Sequence, residues 1–517
     1  MELNHDEEFD FLQMGRTNMV TKKQNILLIV MDTVRRDRLS IYGYEKKVSP
    51  SLEELSKEAL VLEHVVSPAP WTLPVHASLF TGLYPSEHGA SQERPYLKKD
   101  STTLATSLSE SGYSTACYSS NAWITPYTGL TSGFEDVDSF FEIIPQPLLS
   151  KPVVLFYAWF WRKINSKPRF NSIATKIVEV GNEIHEFLSS KNELADSKTP
   201  SVIDKTINFI DSHEQYFVFI NLMDAHLPYN PPKKCRDKFA PGVDPNSVCQ
   251  NSKEYNSGSR DILEDEWDKI RQLYDAEIHY LDSQLGRLFN WMKSNNKWDE
   301  TLVIVCSDHG ELHGEHGLYG HEFCIYDQLV HVPLLIKHNN IDGAIQNHQI
   351  ELIDLYHTII DASGGFVAEK GTPLDKKRSL LSSTYRQFEG SEFAFIEYSK
   401  PIVELQQLES KAKKSNITID KHSRFYSRMR GIRTKKTKYI KNEIITDEFY
   451  QIDEDPNELN NQINSKNSTM DSLTNSLSTF EIKTKASWDA IANPNDDTTS
   501  DMDEQVRNRL RDLGYLD

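Results

Sequence analysis

The sequence predicts an α/β fold: a large mixed, mostly parallel sheet flanked by helices, followed by a smaller C-terminal α+β domain. Four apolar runs, Asn25–Met31, Phe217–Leu222, Leu302–Cys306 and Val332–Ile336, are continuous, not alternating, as in strands covered on both faces. Helical patterns lie between them, at Ser51–Leu60 and, long and amphipathic, at Trp267–Lys293. At 517 residues the chain exceeds the roughly 250–300 residues at which one core stops growing, so a second unit is expected.

A polar tail occupies 1–23, and the main domain is read over 24–365. Its first strand ends at Asp32, and Leu302–Cys306 runs into Ser307-Asp308-His309. In α/β sheets chemistry gathers at the carboxyl ends of strands, so these residues are expected on one rim. Trp71–Gly82 reads as a tight turn entering a helix near Pro74, closed by Gly82. Residues of about 136–210 break the rhythm, with Pro145, Pro147, Pro152 and Pro168 around an aromatic cluster, and read as an insertion. From Gly364 the character changes. Polar stretches flank Glu392–Glu397, and Arg430–Thr434, Lys438–Lys441 and Glu448–Ile452 alternate like antiparallel strands, which predicts a small domain over 366–456. Residues 457–517 read as a polar, partly mobile segment with a terminal helix. No internal repeat is visible.

Composition narrows the function. With 57 basic and 76 acidic residues the net charge is −19, which repels phosphate backbones and excludes general nucleic-acid binding. The 5 cysteines are scattered and form no CxxC pair, so neither a disulfide framework nor a thiolate zinc site is indicated. The first residues are acidic where a signal peptide is basic. No run approaches the ~20 apolar residues of a membrane span; the longest is Val153–Trp161. A cytoplasmic protein is expected.

Asp32 alone would read as a cap for the following turn. A second strand-end acid with an adjacent imidazole, Asp308-His309, makes a divalent-ion site the better reading. His309, His313, His316 and His321 crowd a stretch with glycines at 310, 314, 317 and 320, free to wrap a small anion or ion. An ordinary surface role suits His313 and extends to His316 as an alternative. His226 sits just past another apolar strand. Thr72 lies near a helix N-terminus, where amides and the dipole favour anions; it is either an N-cap or a metal-activated nucleophile.

These motifs, in order, resemble those of the sulfatases in the alkaline phosphatase superfamily: Asp32-Thr-Val-Arg35, Thr72–Gly82, Met223-Asp-Ala-His226, Ser307-Asp-His-Gly-Glu311 and Tyr326–Pro333. Ile353–Thr358, Glu448–Pro456 and Leu510–Tyr515 are similar to sulfatase C-terminal landmarks. The departures are chemical. Sulfatases place Cys or Ser where this chain has Thr72 and oxidise it to formylglycine, whereas the methyl on a threonine β-carbon would make the product a ketone. The motif's arginine is replaced by His76, the second aspartate by Thr33, the Lys and His of a later segment around Asn121, and the sulfate-binding lysine by His321. The set Asp32, Thr72, Asp308 and His309 instead resembles the lipoteichoic acid synthases and phosphoethanolamine transferases, which use an acid, a threonine and an Asp-His pair around one divalent ion.

The resemblance implies a metal-dependent ester hydrolase or phosphotransferase, with Thr72 attacking a phosphate mono- or diester. His226 and His321 would hold the oxyanion or protonate the leaving group. His76, Asn121, Asp224 and His316 are expected to bind substrate. The ion at Asp32, Thr72, Asp308 and His309 would be Mn²⁺, Zn²⁺ or Mg²⁺, or Ca²⁺ if the chemistry is sulfatase-like. A second ion at Asp224, His226 and His321 is left open. Alternatives are a sulfuric ester hydrolase working without formylglycine and a non-catalytic binding protein on the same fold. The expected partner is a small anionic ester. The segment 153–161, flanked by Lys151, Arg162 and Lys163, is either buried or a peripheral membrane contact. Oligomeric state is not legible.

Overall fold

The computed structural model describes residues 23–139, 198–339, 343–381, 391–465 and 467–485. The segment 153–161 and Leu510–Tyr515 lie outside them.

The strands are, in chain order, β1 (Asn25–Met31), β2 (Leu60–Val66), β3 (Ser114–Ser119), β4 (Asp136–Ser139), β5 (Tyr216–Leu222), β6 (Thr301–Cys306), β7 (Leu312–His313), β8 (Tyr319–Gly320), β9 (His331–Lys337) and β10 (Ala344–Glu351). β7 and β8 form a separate hairpin, and the other eight make one sheet in the order β10-β2-β9-β6-β1-β5-β3-β4. β9 runs antiparallel to β2 and β6, and every other pair is parallel.

The continuous apolar runs are explained by two cores. On β1, Ile26, Leu28 and Val30 pack with Leu73, Leu79 and Phe80 of the helix Thr72–Thr81. Leu27, Ile29 and Met31 face the other way, onto Ile270, Leu281 and Leu285 of the helix Glu264–Ser294. Each such side chain contributes roughly 1.5–3 kcal/mol by leaving water, which fixes β1 at the centre of the sheet. All ten residues of Thr72–Thr81 are buried, so this helix has no solvent face. It stops at Gly82, whose φ of 68° is left-handed and whose N–H closes on the Ser78 carbonyl. A Cβ at Gly82 would lie 2.6 Å from the Tyr356 ring.

A second sheet, antiparallel, holds β11 (Ala394–Tyr398), β12 (Met429–Arg433), β13 (Thr437–Asn442) and β14 (Glu448–Gln451) in that order. Arg433 and Lys438 of this sheet each reach Asp327 at 2.9 Å, and Lys438 also reaches Glu458 at 2.8 Å. This buried cluster joins the sheet to the main domain just ahead of β9.

Two expectations need correction. The insertion is narrower than 136–210, because β4 pairs with β3 and the helix Thr199–Ser212 packs Val202, Ile203 and Ile210 into the core. The polar stretch after 457 contains a helix, Ser468–Thr484, which seats Leu473, Leu477 and Phe480 on Ile432, Tyr439 and Phe449. The apolar residues recur at helical spacing, and Glu481 of the same helix pairs with Arg430 and Lys441 at 2.8 Å. All five cysteines are buried and unpaired. Among the described residues no helix is long and apolar enough to cross a membrane.

Candidate active site

β1 and β6 are neighbours in parallel, with Val30 paired to Cys306. Asp32 and Asp308 each follow two residues later, so they leave the same edge of the sheet together. Asp32, Asp308 and His309 are fully buried, and their ligating atoms all lie within 4.8 Å of one another. His309 Nε2 is 3.8 Å from Asp32 Oδ1 and 3.4 Å from Asp308 Oδ2.

Their outer atoms are held in place. Asp32 Oδ2 accepts from Asn121 Nδ2 at 2.7 Å and from Asn221 Nδ2 at 3.1 Å. Asp308 Oδ1 accepts from the His309 N–H at 2.9 Å. His309 Nδ1 lies 3.0 Å from the Gly310 carbonyl, which places the proton on Nδ1 and leaves the Nε2 lone pair facing the carboxylates. The inner atoms Asp32 Oδ1 and Asp308 Oδ2 have no hydrogen-bond partner. Two unpartnered carboxylate oxygens and the Nε2 lone pair of an imidazole, buried and converging, fit a divalent cation. The electrostatics agree. Burial works against charge on Asp32, but His309, His226 and Asn221 hold its carboxyl below the usual range. Burial and the Asp32 charge push the Asp308 carboxyl well above it. Burial, reinforced by His321, drives His309 down to about 3, so the imidazole is a neutral ligand.

Thr72 opens its helix after an extended Trp71. Its Oγ1 is 3.4 Å from His309 Nε2 and accepts from Asn121 Nδ2 at 3.3 Å. His321 and His226 complete the rim: the His321 ring centroid is 4.5 Å from that of His309 and 5.1 Å from that of His226. His226 Nδ1 is engaged by the Leu227 carbonyl at 2.6 Å. Burial disfavours the His321 cation, yet Glu311, 3.0 Å from its Nδ1, outweighs this and raises its pKa to about 9.

Three further candidates are His76, which borders the triad with Nδ1 3.8 Å from Asp308 Oδ2, His316 and Asp224. His76, read as substrate-binding, is fully buried against Phe80 and Phe219 with Nδ1 2.8 Å from the Thr72 carbonyl. His316 stacks on Tyr326 with ring centroids 3.6 Å apart, and no contact joins it to the triad. Asp224 accepts from Thr199 Oγ1 at 2.6 Å. Among the described residues Asp32, Asp308 and His309 form the one cluster of three metal-type ligands, so a second ion at Asp224, His226 and His321 has no preformed cage.

Sequence reasoning missed Asn221 and Glu311. Asn221 is the one amide in the apolar run of β5, and Glu311 closes the Ser307–Glu311 motif without having been given a role. Arg35, quoted only as part of a motif, ties β1 to the loop after β6: its Nη1 donates to the Glu311 carbonyl at 3.1 Å and to Glu315 at 2.7 Å.

The sulfatase family model matches residues 24–365, well over half of the chain. The chain belongs to the sulfatase family. It is accordingly an ester hydrolase. An arylsulfatase of Clostridium perfringens is 21% identical, over 86% of this chain and 91% of that protein. A choline-sulfatase of Rhizobium meliloti is 24% identical, over 92% and 88%. Among solved structures, the phosphonate monoester hydrolase of Agrobacterium radiobacter has a TM-score of 0.64 at 19% identity, covering 89% of this chain and 96% of that one. A structure in complex with its substrate, D-glucosamine-2-N,6-O-disulfate, also has a TM-score of 0.64, at 16% identity, covering 90% and 99%. These likenesses establish the sulfatase fold around the site.

Proposed function

We propose that this sulfatase-family hydrolase cleaves phosphate mono- or diesters with Thr72 as nucleophile. The observation that carries the proposal is the Thr72 hydroxyl, 3.4 Å from His309 Nε2 at the mouth of a bare Asp-Asp-His ligand set. Threonine cannot yield the formylglycine aldehyde, so the hydroxyl itself must attack. A divalent ion at Asp32, Asp308, His309 and Thr72 would lower the hydroxyl pKa and neutralise the nonbridging oxygens. One nitrogen and two carboxylate donors suit Mn²⁺, Zn²⁺ or Mg²⁺.

With its hydroxyl proton already lost to solvent, Thr72 Oγ bonds to phosphorus as the alcohol oxygen departs, and His321 gives that oxygen its proton. Water then attacks the phosphothreonine. Neutral His321 takes the water proton, the Thr72 oxygen leaves, and phosphate (or a phosphomonoester, from a diester) is released. An alcohol in place of water would make the reaction a transfer. His226, Asn121 and the helix N-terminus at Thr72 contribute to holding the oxyanion. The intact ligand and nucleophile set favours turnover over a binding role. Five buried thiols without a disulfide support a reducing, cytoplasmic setting.

The names of the arylsulfatase and choline-sulfatase relatives favour a second reading, sulfate ester hydrolysis. Purified protein loaded in turn with Mn²⁺, Zn²⁺, Mg²⁺ and Ca²⁺ is assayed on p-nitrophenyl phosphate, bis-p-nitrophenyl phosphate and p-nitrophenyl sulfate. The expected result is at least tenfold higher kcat/KM on a phosphate ester, with Thr72→Ala slower by about a thousandfold or more. Faster sulfate turnover, or undiminished turnover in Thr72→Ala, overturns the proposal.

A further inference from the structure

A cavity of about 200 Å³ opens beside the site, lined by His226 and His321 together with Ser252, Lys253, Glu311 and Glu322. The two histidines belong to both, so whatever leaves from the reacting centre on the His321 side enters this cavity. At about 30 Å³ per water it holds a group of a few to about ten heavy atoms.

Its wall is rich in charge. Lys253 lies 2.6 Å from Glu322 and 2.5 Å from Glu404, which comes from the helix Ile402–Lys414, whose Gln407 lines the cavity. Glu311 holds His321 through Oε1. Of these charged groups, Lys253, Glu311, His321 and Glu322 line the cavity itself.

Two oxygens in the cavity wall are unspent. Glu311 is fully buried and Glu322 is 6% exposed, and Oε2 of each has no hydrogen-bond partner. Gly320, at φ 94°, lets Glu322 Oε2 and Ser252 pack close to the backbone: a Cβ there would lie 2.8 Å from that oxygen and 3.1 Å from Ser252 Cβ. Bare buried carboxylate oxygens are costly unless a donor or a positive charge meets them. A second metal ion is the weaker occupant, because these oxygens belong to no cluster of three ligating groups among the described residues.

Resting on the proposed function, we propose that the leaving alcohol carries a primary ammonium group, whose N–H donors meet Glu322 Oε2 and Glu311 Oε2. A neutral alcohol would leave both oxygens unpaired, and an anionic one would be repelled. An amino alcohol and an amino sugar share this chemistry.

The test compares esters differing only in amine against hydroxyl: 2-aminoethyl with 2-hydroxyethyl phosphate, and glucosamine 6-phosphate with glucose 6-phosphate, with the sulfate counterparts run alongside. At least one pair is expected to show tenfold or greater preference in kcat/KM for the amine, and which pair does so tells the linear source from the ring. Glu322→Gln is expected to bring that ratio to within about twofold of unity. Turnover of p-nitrophenyl esters with no amine preference in either pair overturns this proposal and leaves the proposed function intact. So does an unchanged ratio in Glu322→Gln. If no ester is turned over, the proposed function fails, and calorimetric titration of Mn²⁺-loaded protein with ethanolamine and with glucosamine judges the cavity alone. Saturable binding that Glu322→Gln abolishes supports it, and absence of binding overturns it. The ratios in the unaltered protein decide the matter even if the variant fails to fold.

Discussion

Asp32 shows how a metal ligand is built from one side chain and its neighbours. Its Oδ2 is pinned by two amides, Asn121 after β3 and Asn221 in β5, so that only Oδ1 is left to the site. Removing such a partner loosens the ligand without removing it. Asn221→Leu is therefore expected to weaken divalent-ion affinity about 10–100-fold, read by metal titration, while the same protein still binds at high ion concentration. Glu311 plays the matching part for His321. Glu311→Gln removes the charge that keeps the imidazole protonated, so esters of poor leaving groups such as simple alkanols are expected to slow about 10–100-fold. Esters of p-nitrophenol, which leaves without a proton, should change far less. Equal loss on both would show that Glu311 acts only through folding. Asp308 and His309 were legible in the sequence because they are contiguous at the end of an apolar strand. Asn221 was not, since its partner lies 189 residues away and an amide inside Phe217–Leu222 reads as a break in the pattern.

At the scale of elements, legibility followed burial. β1, β5, β6 and β9 were visible because both faces are covered, which demands an unbroken apolar run. β10 is an edge strand with five of its eight residues exposed or partly so, and β3 is built from Ser-Thr-Ala-Cys-Tyr-Ser, largely buried yet mostly small or polar. Neither presents a period that a sequence window detects. The helix carrying Thr72 was visible by its end, Gly82, and the contact at that end carries a test. Gly82→Ala forces a side chain into a left-handed backbone and against Tyr356, 2.6 Å from the new Cβ. A loss of about 2–4 kcal/mol is expected in denaturant unfolding. The double variant with Tyr356→Ala should recover the steric part of that loss, leaving a coupling energy of about 1 kcal/mol or more. Additive losses would show that backbone strain alone is responsible.

On the scale of the whole molecule, the two sheets are joined by buried charge, and that junction gives the protein a pH signature. Asp327 lies between Arg433 and Lys438, and Lys438 also faces Glu458, which is 1% exposed. Burial works against the Asp327 charge, but Arg433 and Lys438 hold its carboxyl far below its ordinary 3.8. A depressed pKa contributes stability that is present above the ordinary value and is lost as pH falls below it. Glu458 runs the other way. Burial, only partly offset by Lys438, pushes its carboxyl from 4.5 up to about 7. The folded protein therefore takes up a proton there that the unfolded chain does not, and this group adds stability as pH falls from about 7 towards 4.5. Together they set a maximum near pH 4.5, with one decline towards neutrality and another below pH 4. The measurement is urea unfolding across pH 3–8 for the parent and for Glu458→Gln and Asp327→Asn. Glu458→Gln should flatten the slope between pH 5 and 7 and leave the acid limb in place. Asp327→Asn should lower stability by about 3–5 kcal/mol at neutral pH, because it strands Arg433 and Lys438 without their shared carboxylate, and should soften the acid limb. If the difference curves of both variants are independent of pH, the junction does not titrate and the charges there serve only to fix the docking of the second sheet.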